Sequence, residues 1–208
     1  MFWETPDAVI VATGGIPKDA EELTVSSWDV LSGTARVSGD VLVFDEIGDH
    51  AGAVVSEVMV TAGAKVGLLT PDRSLLHDLG PTTSSVILRD LSKAGVTFTT
   101  LSELGGVERE GNKLRVNVRN VLTQDIEVRV VDYVVIERGV EPMDDVYFDL
   151  KDQSANKGQL DHAALIAGKL PFDPPADGAF VLARVGDAVT SRNIHAAILD
   201  ALRVCHKL

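Results

Sequence analysis

The feature that most constrains the fold of this chain is a regular alternation of apolar runs with stretches of helical spacing. Three apolar runs, at residues 41–44, 65–69 and 96–99, have the length of buried strands. The stretches that separate them have helical periodicity and stop at Gly63 and Gly95. Strand, crossover helix and strand at this spacing predict a parallel sheet with right-handed connections. The sequence therefore predicts an α/β fold.

A second pattern follows, in which apolar and polar residues alternate strictly. Residues 105–118 and 126–130 show this alternation, and Glu110-Gly111-Asn112 supplies a tight turn within it. The pattern predicts a half-exposed antiparallel β-meander. Residues 132–136 then return to the composition of a buried strand.

Two further buried strands are predicted near the ends of the sequence. The run 7–15 stops at Gly14, and the run 180–188 passes into Gly186. Continuous apolar runs of this kind are typical of parallel strands that are covered on both faces. An amphipathic helix is predicted over 193–204, directly after the second run.

Composition narrows the classes of partner. The net charge is −12, from 31 acidic and 19 basic residues, and no run of Lys or Arg is dense enough to follow a phosphate backbone. We therefore expect no nucleic-acid partner. The apolar runs fall short of the ~20 residues that a membrane span needs, and the first residues lack the pattern of a signal peptide. We expect no membrane partner and a cytoplasmic location.

The residue types that build metal and catalytic centres are sparse. Cys205 is the only cysteine, which excludes an internal disulfide and any multi-cysteine metal or iron–sulfur site. No Ser-His-Asp set or carboxylate pair can be assembled from spacing alone. We expect no metal site and no catalytic residue in this chain.

Three landmarks occur together and in order: the strand end Ala12-Thr13-Gly14, a strand, loop and helix over 41–63, and Val185-Gly186-Asp187-Ala188 before a closing helix. This order resembles that of flavoprotein reductases in which a nicotinamide-type domain is inserted into a flavin-type domain. Within that group the chain is similar to the carboxy-terminal region of the trimethylamine dehydrogenase and 2,4-dienoyl-CoA reductase branch of the Old Yellow Enzyme-related NADH:flavin oxidoreductases. The tract 186–198 is the most specific part, and it resembles members that demethylate dimethylglycine or N-methylproline.

The resemblance implies a domain organisation. A Rossmann-like, three-layer NAD(P)-binding-type domain with a β-meander, residues 37–140, would be inserted in a partial FAD/ADP-type α/β domain, residues 1–36 and 141–208. The first strand and glycine-rich turn of that outer domain would precede Met1.

The resemblance also implies cofactors and partners. A barrel carrying FMN and a 4Fe-4S cluster would precede this region in a parent enzyme, and FAD or ADP would bind to the outer domain there. For the chain by itself we expect no bound cofactor and no turnover. The partners implied are the barrel, an electron-transfer protein and a second copy in a homo-oligomer.

The outer domain supplies the first candidate site. A glycine after a parallel strand lets a ligand approach the backbone, and the following helix offers free N–H groups to an anion. In the resembled flavoproteins the aspartate after that glycine contacts FAD or lies beside ADP. An alternative is that Asp187 only caps a helix and that Asn193 is an N-cap. The candidate cofactor-binding residues are Thr13, Gly14, Gly186, Asp187, Ala188, Arg192 and Asn193.

The inserted domain supplies the second candidate site, the loop 45–52 after a buried strand, with Gly48, His50 and Gly52 as candidate cofactor contacts. An intact dinucleotide loop has the pattern G-x-G-x-x-G. Here Asp45 and Ile47 replace the first two glycines, and the loop is about two residues longer.

Acidic side chains also weigh against nucleotide binding at this loop. Asp45, Glu46 and Asp49 would oppose a pyrophosphate by like charge, and Thr70 stands where the ribose-binding acid is usual, with Asp72 two residues later. We expect a degenerate domain that keeps the Rossmann architecture without binding NAD(P)H. A histidine at a helix start, such as His50, is more often structural than a ligand contact.

Three functions stay open from the sequence. The chain is either a supporting portion of an amine dehydrogenase or demethylase, an active NAD(P)H-binding reductase domain, or a noncatalytic scaffold module. Because ligands of open α/β sheets collect outside the carboxyl ends of strands, we also expect the glycine turns at Gly14 and Gly186 to adjoin.

Overall fold

A computed structural model describes residues 6–18, 22–176 and 179–206. These residues form two compact units. One contains the described residues up to Ile16 together with those from Val140 onward, and the other runs from Pro17 to Gly139. We call them the outer unit and the inserted unit.

In chain order the strands are β1 (Ala8–Val11), β2 (Gly15–Pro17), β3 (Val25–Ser26), β4 (Asp40–Asp45), β5 (Lys65–Leu69), β6 (Thr97–Thr99), β7 (Ser102–Glu110), β8 (Lys113–Asn120), β9 (Ile126–Val131), β10 (Tyr133–Glu137), β11 (Val140–Pro142) and β12 (Val181–Arg184). The helices are α1 (Ser27–Leu31), α2 (His50–Thr61), α3 (Pro81–Lys93), α4 (Asp145–Lys151), α5 (His162–Ile166) and α6 (Ile194–Cys205), and a 3₁₀ turn spans Gly186–Ala188.

The inserted unit is built on a five-stranded parallel sheet in the order β3-β10-β4-β5-β6. Its central strand β4 is buried on both faces, and its side chains alternate between two clusters. Val41 and Val43 pack with residues of α2 and α3, whereas Leu42 and Phe44 pack with the meander strand β8. Since successive side chains of a strand point to opposite faces, one apolar run builds both halves of a three-layer core.

The antiparallel meander β7-β8-β9 covers the second face of this sheet. Leu114, Val116 and Val118 of β8 are buried there, and the residues between them face outward. The α/β fold with a parallel sheet and a meander that the sequence predicts is thus confirmed.

The outer unit contains a pair of parallel strands, β1 and β12, in the register Ala8↔Val181 to Val11↔Arg184. Their buried side chains, among them Val11 and Leu182, pack with Tyr147 of α4. On α6, Val204 packs with Ala183 and Val185. This unit holds the first candidate site.

One domain boundary differs from the prediction. The inserted unit begins at Pro17, whereas the sequence placed its start at residue 37. The reason is the short strand β3, in which Val25 and Ser26 pair with Val135 and Ile136 of β10 at the edge of the parallel sheet. The second boundary lies between Gly139 and Val140.

Candidate functional site

The carboxyl ends of β1 and β12 adjoin, as the sequence predicts. Val11 and Arg184 are paired at the last register position, and the Val185 N–H donates to the Val11 carbonyl at 3.0 Å. Gly14 and Gly186 therefore follow two neighbouring parallel strands at the same edge, where open α/β sheets bind ligands.

Gly14 and Gly186 both adopt left-handed backbone conformations, with φ of 75° and 63°. A Cβ on Gly14 would meet no atom of the described residues within 4 Å, whereas one on Gly186 would lie 3.2 Å from the Cβ of Ala197. Gly14 thus leaves space outside the turn, and Gly186 allows α6 to pack closely against it.

Thr13 and Gly14 are hydrogen-bonded to Met143, which lies between β11 and α4. The Thr13 hydroxyl donates to the Met143 carbonyl, and the Met143 N–H donates to the Gly14 carbonyl at 2.9 Å. Thr13 is exposed.

The segment between the 3₁₀ turn and α6 is held by its own side chains. Asp187 accepts from the Arg192 N–H at 3.3 Å, and the Arg192 guanidinium pairs with Asp200 on α6. Asn193 is the N-cap of α6 and accepts from the Ala196 N–H at 3.0 Å.

These contacts decide between the two interpretations of the outer site residues. The N-cap role of Asn193 is confirmed, and Asp187 closes the turn before the helix instead of capping it. Arg192 is engaged with Asp200, and Ala188 is fully buried. Gly14 and Asp187 are both half-buried at this edge.

The loop of the inserted unit is organised around Asp45, the last residue of β4. Its side chain is fully buried. Oδ1 accepts from the Ile47 N–H at 3.1 Å and from the Gly48 N–H at 2.9 Å. Oδ2 is buried with no hydrogen-bond partner among the described residues.

Burial raises the pKa of the Asp45 carboxyl from 3.8 to about 6. Loss of solvent is the largest cause, because a charge in a low-dielectric interior is destabilised. The N–H groups of Gly48 and Ile47 lower this pKa, and the nearby charges of Asp49 and Glu137 raise it. Near neutral pH the ionised carboxylate of Asp45 therefore lowers the free energy of unfolding.

A second buried carboxylate, Glu137, ends the neighbouring strand β10 and is the Cα partner of Asp45. Glu137 accepts from the Ser27 hydroxyl, and from the Gly139 N–H at 2.8 Å. The sequence interpretation missed Glu137 and Ser27. The available signal was an acid directly after a buried strand, the same signal that marks Asp45.

The other acidic residues of the loop also have partners. Glu46 lies 3.5 Å from Arg138, whose guanidinium carbon lies over the ring of Phe44 at 5.7 Å from its centre. Asp49 is the N-cap of α2 and accepts from the Ala51 N–H at 2.8 Å. Thus the loop's acids are bound by the protein's own donors.

The three predicted contacts of this loop occupy different environments. Gly48 is buried with φ of 70°, and a Cβ there would lie 2.2 Å from Nδ1 of His77. His50 is the exposed first residue of α2. A Cβ on Gly52 would lie 2.4 Å from Oδ2 of Asp45. At the end of the neighbouring strand β5, the buried Thr70 occupies the position where a ribose-binding acid is usual.

The described residues contain neither a membrane-spanning helix nor a cluster of metal-binding side chains. No helix in this part of the chain is long and apolar enough to cross a membrane. Within the same residues, no group of three or more His, Cys, Asp or Glu side chains is arranged to hold a metal ion.

Comparison with known proteins gives close relatives along nearly the whole chain. It is 43% identical over 207 residues to a probable N-methylproline demethylase of Rhizobium meliloti (strain 1021). It is 42% identical over 217 residues to an N,N-dimethylglycine/sarcosine dehydrogenase of Chromohalobacter salexigens. A multifunctional alkene reductase/demethylase OYE of Caballeronia cordobensis is 36% identical over 206 residues. No protein-family model matches the sequence.

The coverage of these matches is unequal. They cover 97%, 96% and 96% of this chain but only 30%, 31% and 31% of the relatives. The chain thus spans about a third of the length of the curated relatives that it matches.

Solved structures share the fold. Histamine dehydrogenase from Rhizobium sp. 4-9 superposes with a TM-score of 0.72 at 21% identity, over 95% of this chain and 30% of that one. A 2-naphthoyl-CoA reductase gives 0.70 at 18% identity, over 98% and 27%. With the closer relatives, these likenesses confirm the resemblance predicted from the three landmarks. Over nearly its whole length, the chain is thus similar to about a third of each of three proteins named as a demethylase, a dehydrogenase and an alkene reductase/demethylase OYE.

Proposed function

We propose that this chain is the carboxy-terminal, dinucleotide-binding-type region of a flavin- and iron–sulfur-dependent oxidoreductase that demethylates an N-methylated amino acid. The observation that carries the proposal is the match at 42–43% identity to proteins named for N-methylproline and for dimethylglycine and sarcosine. The order of landmarks predicted from the sequence supports the same assignment. The substrate and the electron acceptor belong to the full-length enzyme.

The outer unit supports a larger polypeptide. Among the described residues, β1 pairs with β12 alone, in a sheet of two parallel strands. Two strands by themselves are marginally stable, and parallel sheets occur almost only where both faces are covered. A further parallel strand beside β1, carrying the glycine-rich turn of an FAD/ADP-type domain, would complete this sheet.

The exposed face of α6 supports the same inference. Ile194, Ile198 and Leu202 follow at four-residue spacing, and their exposed fractions are 71%, 52% and 58%. Side chains at this spacing share one helix face. An apolar face of this kind marks a contact surface. In the proposed parent, the rest of the outer domain or the preceding barrel, which would carry FMN and the 4Fe-4S cluster, covers it.

The outer crevice fits FAD or ADP in part. Gly14 leaves room for a ligand against the backbone, and Asp187 offers a half-buried carboxylate to ribityl or ribose hydroxyls. Arg192 and Asn193 do not fit a phosphate contact, because their side chains hold Asp200 and the start of α6. When bound, a flavin here would supply redox chemistry, while these residues would only orient it.

The alternative of an active NAD(P)H-binding reductase domain loses support at the inserted unit. The loop N–H groups of Ile47 and Gly48 are taken by the buried Asp45 carboxylate. We therefore expect NADH and NADPH to bind weakly or not at all. A noncatalytic scaffold module would also fail to bind NADH and NADPH. Activity of the full-length protein therefore distinguishes the proposed demethylase region from a scaffold.

The experiment is an assay of the full-length gene product that contains this chain. We expect release of formaldehyde from N-methylproline, dimethylglycine or sarcosine, coupled to reduction of an added electron-acceptor dye. The purified 208-residue chain, assayed in parallel, should give no turnover and no stoichiometric flavin spectrum. A full-length protein that oxidises none of these amines would contradict the proposal.

A further inference from the structure

We propose that the loop 45–52 is a dinucleotide-type phosphate site whose ligand position is filled by the chain's own Asp45 carboxylate. This inference rests on the proposed function, in which the inserted unit keeps a Rossmann architecture without using NAD(P)H. It adds a mechanism: the site is blocked by occupancy, and removal of one side chain opens it to the pyrophosphate of a dinucleotide.

The first step is the position of the donors. In a dinucleotide-binding loop the backbone N–H groups between strand and helix point at the pyrophosphate, and glycine in the first position makes room for it. Here Asp45 stands at that first position. Its Oδ1 accepts from the N–H groups of Ile47 and Gly48, two donors of the same loop, as one phosphate oxygen would.

The second step is the space around Oδ2. This atom is buried with no hydrogen-bond partner in the part of the chain that the structure describes, and it would lie 2.4 Å from a Cβ on Gly52. Gly52 lies in the first turn of α2, at the last glycine of the pattern. Because Gly52 has no side chain, the Asp45 carboxylate fits beside it. In an intact dinucleotide loop a phosphate would occupy this space.

The third step is the closure of the surrounding positions. The Ala51 N–H at the start of α2 donates to Asp49, and the ring of His77 lies against Gly48. On the next strand, Glu137 accepts from the Gly139 N–H. The N–H groups of Ala51 and Gly139 at this end of the sheet thus also donate to side chains of the unit itself.

Charge repulsion alone is the competing explanation, since Asp45, Asp49 and Glu137 would each repel a pyrophosphate. The two explanations differ for neutral replacements of Asp45. Asp45→Asn removes the charge and keeps an oxygen for the Ile47 and Gly48 N–H groups. Asp45→Gly removes the charge and frees both groups, and it restores the glycine that the pattern requires.

The test is calorimetry of NADH and of inorganic pyrophosphate with the wild-type chain, Asp45→Asn and Asp45→Gly. We expect no measurable binding to wild type or Asp45→Asn, and for Asp45→Gly an association constant at least tenfold above the detection limit of the titration. Circular dichroism checks that each variant is folded. If Asp45→Gly does not fold, Asp45→Ala takes its place, because it frees the same N–H groups with less backbone freedom.

The outcomes separate this inference from the proposed function. Equal binding by the folded Asn and Gly variants would leave charge repulsion as the cause and overturn occupancy. No binding by any folded variant would overturn the masked site and leave the proposed function intact. Micromolar binding of NADH by the wild-type chain would overturn both, because the loop would then be open and the reductase alternative restored.

Discussion

Asp45 shows how one residue can set both the binding properties and the stability of a unit. One oxygen of its carboxylate accepts from two loop N–H groups, and the other oxygen has no partner within the described ranges of the chain. A buried charge with half of its acceptor capacity unused costs stability, and the unit accepts this cost at the end of its central strand.

The pH dependence of stability follows from the pKa of Asp45, which is raised from 3.8 to about 6 in the folded protein. The fold favours the protonated carboxyl, so this stability contribution is present at low pH and is lost as the pH rises through about 6. The full loss corresponds to roughly 3 kcal/mol as an upper value.

Asp45→Asn should remove this dependence, because an amide does not titrate. We expect the unfolding free energy of Asp45→Asn, relative to wild type, to increase by about 2 kcal/mol between pH 4.5 and pH 7.5. Urea unfolding at several pH values measures it. The other carboxyls contribute equally to both proteins, so a difference that stays constant with pH would rule out Asp45 as its source.

At the scale of elements, periodicity predicts what repeats. The run 41–44 was recognised as a strand because four apolar residues precede a glycine-containing loop, and β4 occupies that place. The short strand β3 is not predicted, because two residues, Val25 and Ser26, are too few to show a period. Their pairing with β10 is a long-range contact that sequence pattern does not reveal. The sequence also could not place Glu137 beside Asp45, because the two residues lie far apart in the chain and meet only through the pairing of β10 with β4.

The sequence allows two roles for Asn193, a cofactor contact or the N-cap of α6. The stabilising effect of the cap can be tested. Asn193 accepts from the Ala196 N–H, one of the donors that a helix start leaves unpaired. Asn193→Ala should lower the unfolding free energy of the outer unit by about 1 kcal/mol. His195→Ala, on the exposed surface of the same helix, is the matched control and should change it by less than about 0.5 kcal/mol. Equal effects of the two substitutions would show that the cap contributes nothing.

At the scale of the whole molecule, the two units differ in how completely their apolar surfaces are covered. The inserted unit buries both faces of its five-stranded sheet, between helices and a meander. The outer unit has a two-stranded sheet and an exposed apolar helix face. Local pattern predicted the glycine turns of the outer unit, whereas the contacts of Arg192 and Asp187 depend on how α6 packs and could not be deduced from spacing.

The role proposed for Asp187 can be measured in the full-length parent. Asp187 follows the turn at Gly186, beside the end of β1, and its Oδ1 accepts from the Arg192 N–H at 3.3 Å. Asp187→Ala should reduce the FAD or ADP that remains bound after gel filtration, because it removes the acidic contact of this crevice. Asp187→Asn is the matched control: it keeps an acceptor for Arg192 and changes only the charge and one hydrogen-bonding group. If cofactor retention depends on the carboxylate, both variants should lose cofactor while their circular dichroism stays native. Loss in Asp187→Ala alone would assign the residue to holding the turn, and full retention in both would remove Asp187 from the site.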